Sequence, residues 1–329
     1  MDYQRIPYVD RPISTIVFGT ATRLLDAVMP AAPSEKDALR EKAFALLDEV
    51  SAMGINCFDC ATMYGEEVLG DWITARRNRE KTVILTKCAH PDEHRNRVTE
   101  ADVRDDLARS LEKLKTDYID IYLLHRDDPT VPVETIVDWM NRLHDEGMIG
   151  AFGGSNWSHH RLAAANDYAA RNGLIPFTVS SPYFGLAEQF DHPWMGECVA
   201  LTGAQNADAR QWYQTGDLAI FAYSALARGF FSGKLRSDEP DKAHLLLEPP
   251  AIKGYCHPDN FERLRRAEQL AGDKGVTVAQ IALAWLFCQP LQPFVVTATS
   301  TVDHVRQTVA ALDITLTAAE AAWLNLYEK

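Results

Sequence analysis

The sequence predicts an α/β protein, a (β/α)8 TIM barrel with long loops on its C-terminal face, and three observations carry that expectation. Short β-branched apolar runs alternate with amphipathic helical stretches, eight times over. The first strand-to-helix turn, Phe18-Gly19-Thr20-Ala21-Thr22-Arg23, lacks the G-x-G-x-x-G by which a doubly wound sheet announces a nucleotide site. The longest insertions, Ser181 to Asp217 and Tyr223 to His257, follow strand ends, where a barrel builds its working face.

The eight runs lie near Ile13 to Phe18, Ile55 to Asp59, Thr82 to Lys87, Tyr118 to Leu124, Ile149 to Gly154, Pro176 to Ser180, Leu218 to Ala222 and Pro293 to Thr297. Between the first two, Leu39, Ala43, Leu46, Leu47, Val50 and Met53 recur at helical spacing, with Ser34-x-x-Asp37 as the cap and Gly54 as the exit. A second helix follows Thr99-x-x-Asp102 and carries Val103, Leu107, Leu111 and Leu114 on one stripe. A third runs from Pro132 to Gly147 with Ile136, Met140 and Leu143 inward. His159-His160 begins another, and the apolar stretch Met29 to Pro33 reads as an exposed loop.

Composition sets the partners. The 329 residues are 47% hydrophobic and 24% charged, enough to build a core without metal or disulfide support, and barrels of roughly 250 residues or more fold as one unit. One domain over 1–329 is therefore expected. A net charge of −13 opposes nucleic acid and anionic membranes, so a small molecule is the expected partner; self-association into a homo-oligomer is compatible with the sequence. Met1 to Arg11 lacks the apolar core of a signal peptide and no run of about eighteen apolar residues occurs, which points to the cytoplasm. The six scattered cysteines read as reduced thiols; Cys57-x-x-Cys60 straddles a strand end and no second ligand pair has metal spacing, so no metal is expected.

Chemistry concentrates at four strand ends. Asp59 ends the second run, Tyr64 follows in its loop, Lys87 ends the third and His125 the fourth, which places all four on the catalytic face of a barrel. The segment Gly54-Ile-Asn-Cys-Phe-Asp-Cys-Ala-Thr-Met-Tyr-Gly65, followed by Glu67-Val-Leu-Gly70, resembles the signature of the aldo-keto reductases. Similar matches span nearly the whole chain: Ile84 to Lys87, Asp117 to Pro129, Gly153 to Asn156, Tyr223 to Gly229 and Gln280 to Trp285.

That resemblance implies an NAD(P)-dependent oxidoreductase interconverting a carbonyl and an alcohol, with Asp59, Tyr64, Lys87 and His125 as the catalytic set. Tyr64 would be the general acid, its phenol made more acidic by Lys87, which Asp59 holds charged; His125, neutral, would orient the substrate oxygen. The cofactor, NADP(H) or NAD(H), would meet Gly19, Thr20, Asp59, Ser155, Asn156, Ser180, Tyr183, Tyr223, Ser224, Leu226, Gly229, Thr299, Ser300, His304, Gln307 and Thr308. Tyr64, His125, Arg126, Trp157 and Trp194 would face the substrate. Trp212, Phe230, Phe231 and Tyr255, in or beside the same loops, suggest a sugar, a sugar-derived ketone or a polyol.

The chain departs from the family pattern at several positions. Cys60 stands where Thr is usual and Ser180 where a carboxamide-binding Gln is usual. Gln307 and Thr308 replace a Glu-Asn pair, and His304 takes the place of a phosphate-binding Arg, with Arg306 nearby, so NADH and NADPH are both admitted. Three other readings stay open: a Schiff-base lyase using Lys87, a non-catalytic nicotinamide-binding partner like the potassium-channel β subunits that share this fold, and an epimerase or lyase that cycles bound NAD.

Overall fold

Eight strands overlap the eight apolar runs in the computed structural model, which describes residues 1–194 and 196–326. They are β1 (Ile16–Gly19), β2 (Cys57–Asp59), β3 (Val83–Cys88), β4 (Ile119–Leu124), β5 (Ile149–Ser155), β6 (Val179–Ser181), β7 (Ala219–Ala222) and β8 (Phe294–Thr297). The barrel closes in the order β8-β1-β2-β3-β4-β5-β6-β7. The paired strands run parallel with helices between them, as βαβ units require.

Register determines which residues end up side by side. Gly19 pairs with Asp59, Asp59 with Leu85, Lys87 with Leu123 and Ser155 with Ser181. Strands β2 to β6 are buried along their whole length, which is why their sequences read as continuous apolar runs rather than alternating ones.

The first run divides in two. Ile13 and Ser14 pair antiparallel with Gln4 and Tyr3 outside the barrel. The Ser14 hydroxyl then donates back to the Ile16 carbonyl at 2.6 Å, ending that ladder before β1 begins. Periodicity alone sees one apolar segment there.

Helix boundaries follow capping chemistry. Thr99 accepts from the Asp102 amide at 3.2 Å and opens the helix Glu100–Leu114, as expected. The helix Val133–Asp145 follows Pro132 and buries Ile136, Met140 and Leu143. Ser34 and Asp37 do not cap the preceding helix. It starts at Pro33, whose fixed φ suits a first turn, and runs to Ala52, placing both residues inside it. A short helix at Arg23–Val28, capped by Thr22, carries no periodic signal of its own.

The contacts gather into two compact units. The first comprises Met1–Ser181, Asp217–Ala219 and Ala298–Val305 and holds β1 to β6; the second comprises Pro182–Gly216, Ile220–Thr297 and the chain from Arg306. The long segments in the second unit are structured: 182–216 carries the helix Ala207–Thr215, and 223–257 carries Ala243–Leu246 and Pro249–Tyr255. All six cysteines are free, with Cys57, Cys60, Cys88 and Cys198 buried. Among the described residues no helix is long and apolar enough to cross a membrane.

Candidate active site

The first unit brings Asp59, Tyr64, Lys87 and His125 to neighbouring strand ends. Asp59 closes β2, and Thr20 fixes that end: its amide and its hydroxyl both donate to the Asp59 carbonyl at 2.9 Å. A tight turn then returns Tyr64 beside the strand, with Tyr64 N donating to Ala61 O at 2.9 Å and Ala61 N to Tyr64 O at 3.1 Å. Gly65 follows at φ +76°, a conformation that favours glycine, and the helix Glu66–Arg76 starts there.

Lys87 is the hub. Its ammonium has three protons and the protein accepts all three: the Asp59 carboxylate, the Cys60 carbonyl at 2.9 Å and the Tyr64 hydroxyl at 2.8 Å. Because Tyr64 Oη accepts from Lys87, its own proton is left to point away from the ammonium. The lysine and aspartate side chains are only 5% and 10% exposed, so their attraction acts in a poorly screened setting.

The electrostatics differ from expectation on one point. Burial pushes the Tyr64 phenol above its usual value and Asp59 adds to the rise; Lys87 recovers only part of it. The phenol is therefore protonated at neutral pH, the state a proton donor needs, and Lys87 serves to stabilise the phenolate left after transfer. Burial alone would pull the Lys87 ammonium down, but Asp59 and Tyr64 hold it above its usual value.

His125 is half-buried at the end of β4, tied by its amide to the Cys88 carbonyl at 2.7 Å. Burial, reinforced by Lys87, His90 and Arg126, holds its imidazole well below 6.5, so it is neutral as expected. Its Nδ1 is buried with no partner. A buried N–H without an acceptor is costlier than a bare lone pair, which favours the tautomer with the proton on Nε2.

One buried acid escaped the sequence reading. Glu66 is 2% exposed and accepts from Thr86 Oγ1 at 2.7 Å and Ser110 Oγ at 2.6 Å, joining the turn after Tyr64 to the strand that carries Lys87. Burial raises its carboxyl above the usual value. A signal was present: Glu66 shares a helix face with Leu69, Gly70 and Ile73, all buried.

Ser155, Asn156 and Ser180 gather at the ends of β5 and β6. The Asn156 amide donates to Ser181 O at 3.1 Å, its side chain donates to Ser155 Oγ at 3.2 Å, and its φ is +57°. Ser300 accepts from Leu24 N at 3.1 Å, Thr299 Oγ1 lies 3.2 Å from His304 Nδ1, and His304 is exposed. In the second unit Tyr183 is buried against Tyr223 and Tyr255, with its hydroxyl donating to Ala187 O at 2.7 Å. Ser224, Ala227, Arg228 and Gly229 all have positive φ; Leu226 lies among them. Within that loop Ala227 N donates to Ser224 O at 2.7 Å and Gly229 N to Leu226 O at 3.0 Å. Within the first unit the short polar groups of Ser155, Asn156 and Ser180 fit the carboxamide of a nicotinamide dinucleotide, and the Nε2 proton of His125 suits a carbonyl oxygen. Gln307 is half-buried and Thr308 buried in the helix Val302–Ala310.

The aromatic residues need correction. Trp157 is fully buried, lying where a Cβ on Gly154 would meet its ring at 2.4 Å and tilted against Phe177, so it is core and presents no face to a substrate. Phe230, Phe231 and Tyr255 are likewise buried. Trp194 stays half-buried, with the Arg228 guanidinium 4.0 Å from its ring centroid.

A parallel barrel with linked ionisable groups at adjacent strand ends has the build of a barrel enzyme. The chain belongs to the Aldo/keto reductase family, whose model matches residues 16–326, and it is an oxidoreductase. It is 28% identical to a probable voltage-gated potassium channel subunit beta of Oryza sativa subsp. japonica, over 83% of each chain. It is also 28% identical to the aldo-keto reductase YhdN of Bacillus subtilis, covering 88% of this chain and 82% of that one. Among solved structures it resembles the glycerol dehydrogenase AKR11B4 from Gluconobacter oxydans, with a TM-score of 0.73 at 22% identity over 98% and 94% of the two chains, a likeness of fold.

Proposed function

We propose that this single-domain chain interconverts an aldehyde or ketone with the corresponding alcohol, with Tyr64 moving the proton at the substrate oxygen. The observation that carries the reading is the saturated Lys87 ammonium, which donates to Asp59, Cys60 O and Tyr64 together. A bound nicotinamide dinucleotide supplies the hydride at the carbonyl carbon in reduction and takes it up in oxidation. Within the first unit Ser155, Asn156 and Ser180 would hold its carboxamide, and Thr299, Ser300 and His304 its adenosine end.

In reduction, Tyr64 donates its free proton to the carbonyl oxygen as negative charge builds there, and the phenolate is held by the Lys87 proton already shared with it. His125 donates from Nε2 to the same oxygen and sets the approach of the carbonyl. Asp59 keeps Lys87 charged throughout. In oxidation the Tyr64 phenolate takes the one transferred proton back from the alcohol, while His125 keeps its hydrogen bond to the oxygen.

The rice relative's name favours a second reading, a nicotinamide-binding subunit without turnover. The fully connected Asp59-Lys87-Tyr64 set argues for chemistry. The deciding experiment titrates NADH and NADPH, then screens aldehydes, ketones, sugars and polyols at about 340 nm, where reduced nicotinamide absorbs. Turnover of any carbonyl–alcohol pair supports the oxidoreductase. Tight dinucleotide binding with no turnover across the panel supports the subunit.

A further inference from the structure

Arg126 follows His125 directly, and its side chain is packed away to 8% exposure. A guanidinium offers five N–H donors. Here the one hydrogen bond it makes within the described protein runs from Nη1 to the His125 carbonyl at 3.1 Å, and its Nε is buried without a partner. Among the described residues no carboxylate lies within ion-pair distance of it. The acids that follow it in the chain are committed elsewhere, Asp127 to Arg161 at 3.0 Å and Asp128 to the Thr130 hydroxyl at 2.6 Å, and Asp106, which like Arg126 acts on His90, pairs with Arg97 at 2.8 Å.

The surroundings supply no counter-charge either. The His90 ring meets His125 edge-on at 4.8 Å, and its Nδ1 bonds the Pro91 carbonyl at 2.8 Å. Burial holds both imidazoles below their usual value, so both are neutral. Anchoring the His125 carbonyl does not account for Arg126, because a neutral amide could make that single bond without burying a charge. A cation left unpaired in a chain of net charge −13, beside the candidate catalytic histidine, needs a partner that the protein does not provide.

We infer that Arg126 receives an anionic oxygen group, a carboxylate or a phosphate, carried by the substrate within a few atoms of the carbonyl that His125 and Tyr64 engage. The inference rests on the carbonyl-oxidoreductase reading and narrows its substrates to acidic or phosphorylated carbonyl compounds. A guanidinium can pair with either group through two parallel N–H bonds, which gives orientation as well as attraction. The remaining donors of Arg126 supply that fork.

The test compares matched substrates on the whole chain. One arm sets succinic semialdehyde against butanal; the other sets dihydroxyacetone phosphate against dihydroxyacetone. The charged member of one arm is expected to win by tenfold or more in kcat/KM, and the winning arm identifies the anion. Arg126→Met should collapse that ratio, chiefly through KM, and Arg126→Lys should restore part of it. The wild-type ratios decide the matter even if the methionine variant fails to fold. Turnover of the neutral compounds with no preference for either anion overturns the role of Arg126 alone, as does an equal loss for both members in Arg126→Met. No turnover in either arm or in the broad panel, with dinucleotide still bound, overturns the oxidoreductase reading as well.

Discussion

The strand ends of β2 to β4 and the segment 299–305 belong to the same unit and are assigned to the same reaction, yet they are built in opposite ways. At the strand ends, a buried ammonium gives all three protons to fixed acceptors, one of them a buried carboxylate. In the segment 299–305 the polar groups are short and more open: Thr299 and Ser300 are half-buried, His304 is exposed, and Ser300 is partly spent holding Leu24. On the proposed reading, chemistry sits where a wrong residue would leave a buried charge unpaired, and dinucleotide choice where a change costs the fold little. The first kind of site resists drift; the second is where relatives of one fold are free to diverge.

Breaking the buried pair should have the largest effect. Lys87→Met leaves Asp59 as an unpaired carboxylate and is expected to cost roughly 3–5 kcal/mol of stability, with a loss of turnover of roughly 10²–10⁴-fold. Urea unfolding and steady-state kinetics measure both. The double variant Asp59→Asn with Lys87→Met should recover much of the stability and none of the turnover. A single variant as stable as the wild type would show that the pair is not under electrostatic load.

Acid sharpens the same contrast. His125 is held well below 6.5 in the folded chain, while the unfolded chain takes up its proton near that value. The unfolded state therefore binds more protons below pH 6.5, so the stability tied to a neutral His125 is complete above that pH and falls as the pH drops beneath it. The slope is up to about 1.4 kcal/mol per pH unit. Denaturation at pH 7.5 and 5.5 should show a smaller difference for His125→Asn than for the wild type. Identical pH dependence in the two proteins would contradict a buried neutral imidazole.

At the open segment the expected effect is smaller. His304→Arg offers a fork to the adenosine 2′-phosphate and should tighten NADPH over NADH by about tenfold, with the melting temperature unchanged within error. Paired dinucleotide titrations measure it. An unchanged ratio would move the phosphate contact to Ser300 or Arg306.

Much of this was legible in the sequence because barrel physics is periodic. Eight apolar runs, the Thr99 cap and the placing of Asp59, Lys87 and His125 at adjacent strand ends all follow from local pattern and register. What escaped depends on long-range partners. Ile13 and Ser14 look like part of β1 until Tyr3 and Gln4 claim them. Trp157 reads as a loop aromatic until Gly154 is seen to make room for its ring. Glu66, beside Glu67 at a helix start, resembles an ordinary solvated acid; only Thr86 and Ser110, distant in the chain, bury it. The rise in the Tyr64 phenol was missed for a related reason, since the family resemblance implied proximity to Lys87 and said nothing of the desolvation of the whole group.

The central claim meets its most direct test in Tyr64→Phe, assayed for both dinucleotide binding and turnover on whichever carbonyl the wild type reduces. Removal of one hydroxyl should leave the dinucleotide Kd within a few-fold and cut kcat by roughly 10²–10⁴-fold. A variant that binds the dinucleotide normally and still turns over at the wild-type rate would show that the proton comes from elsewhere.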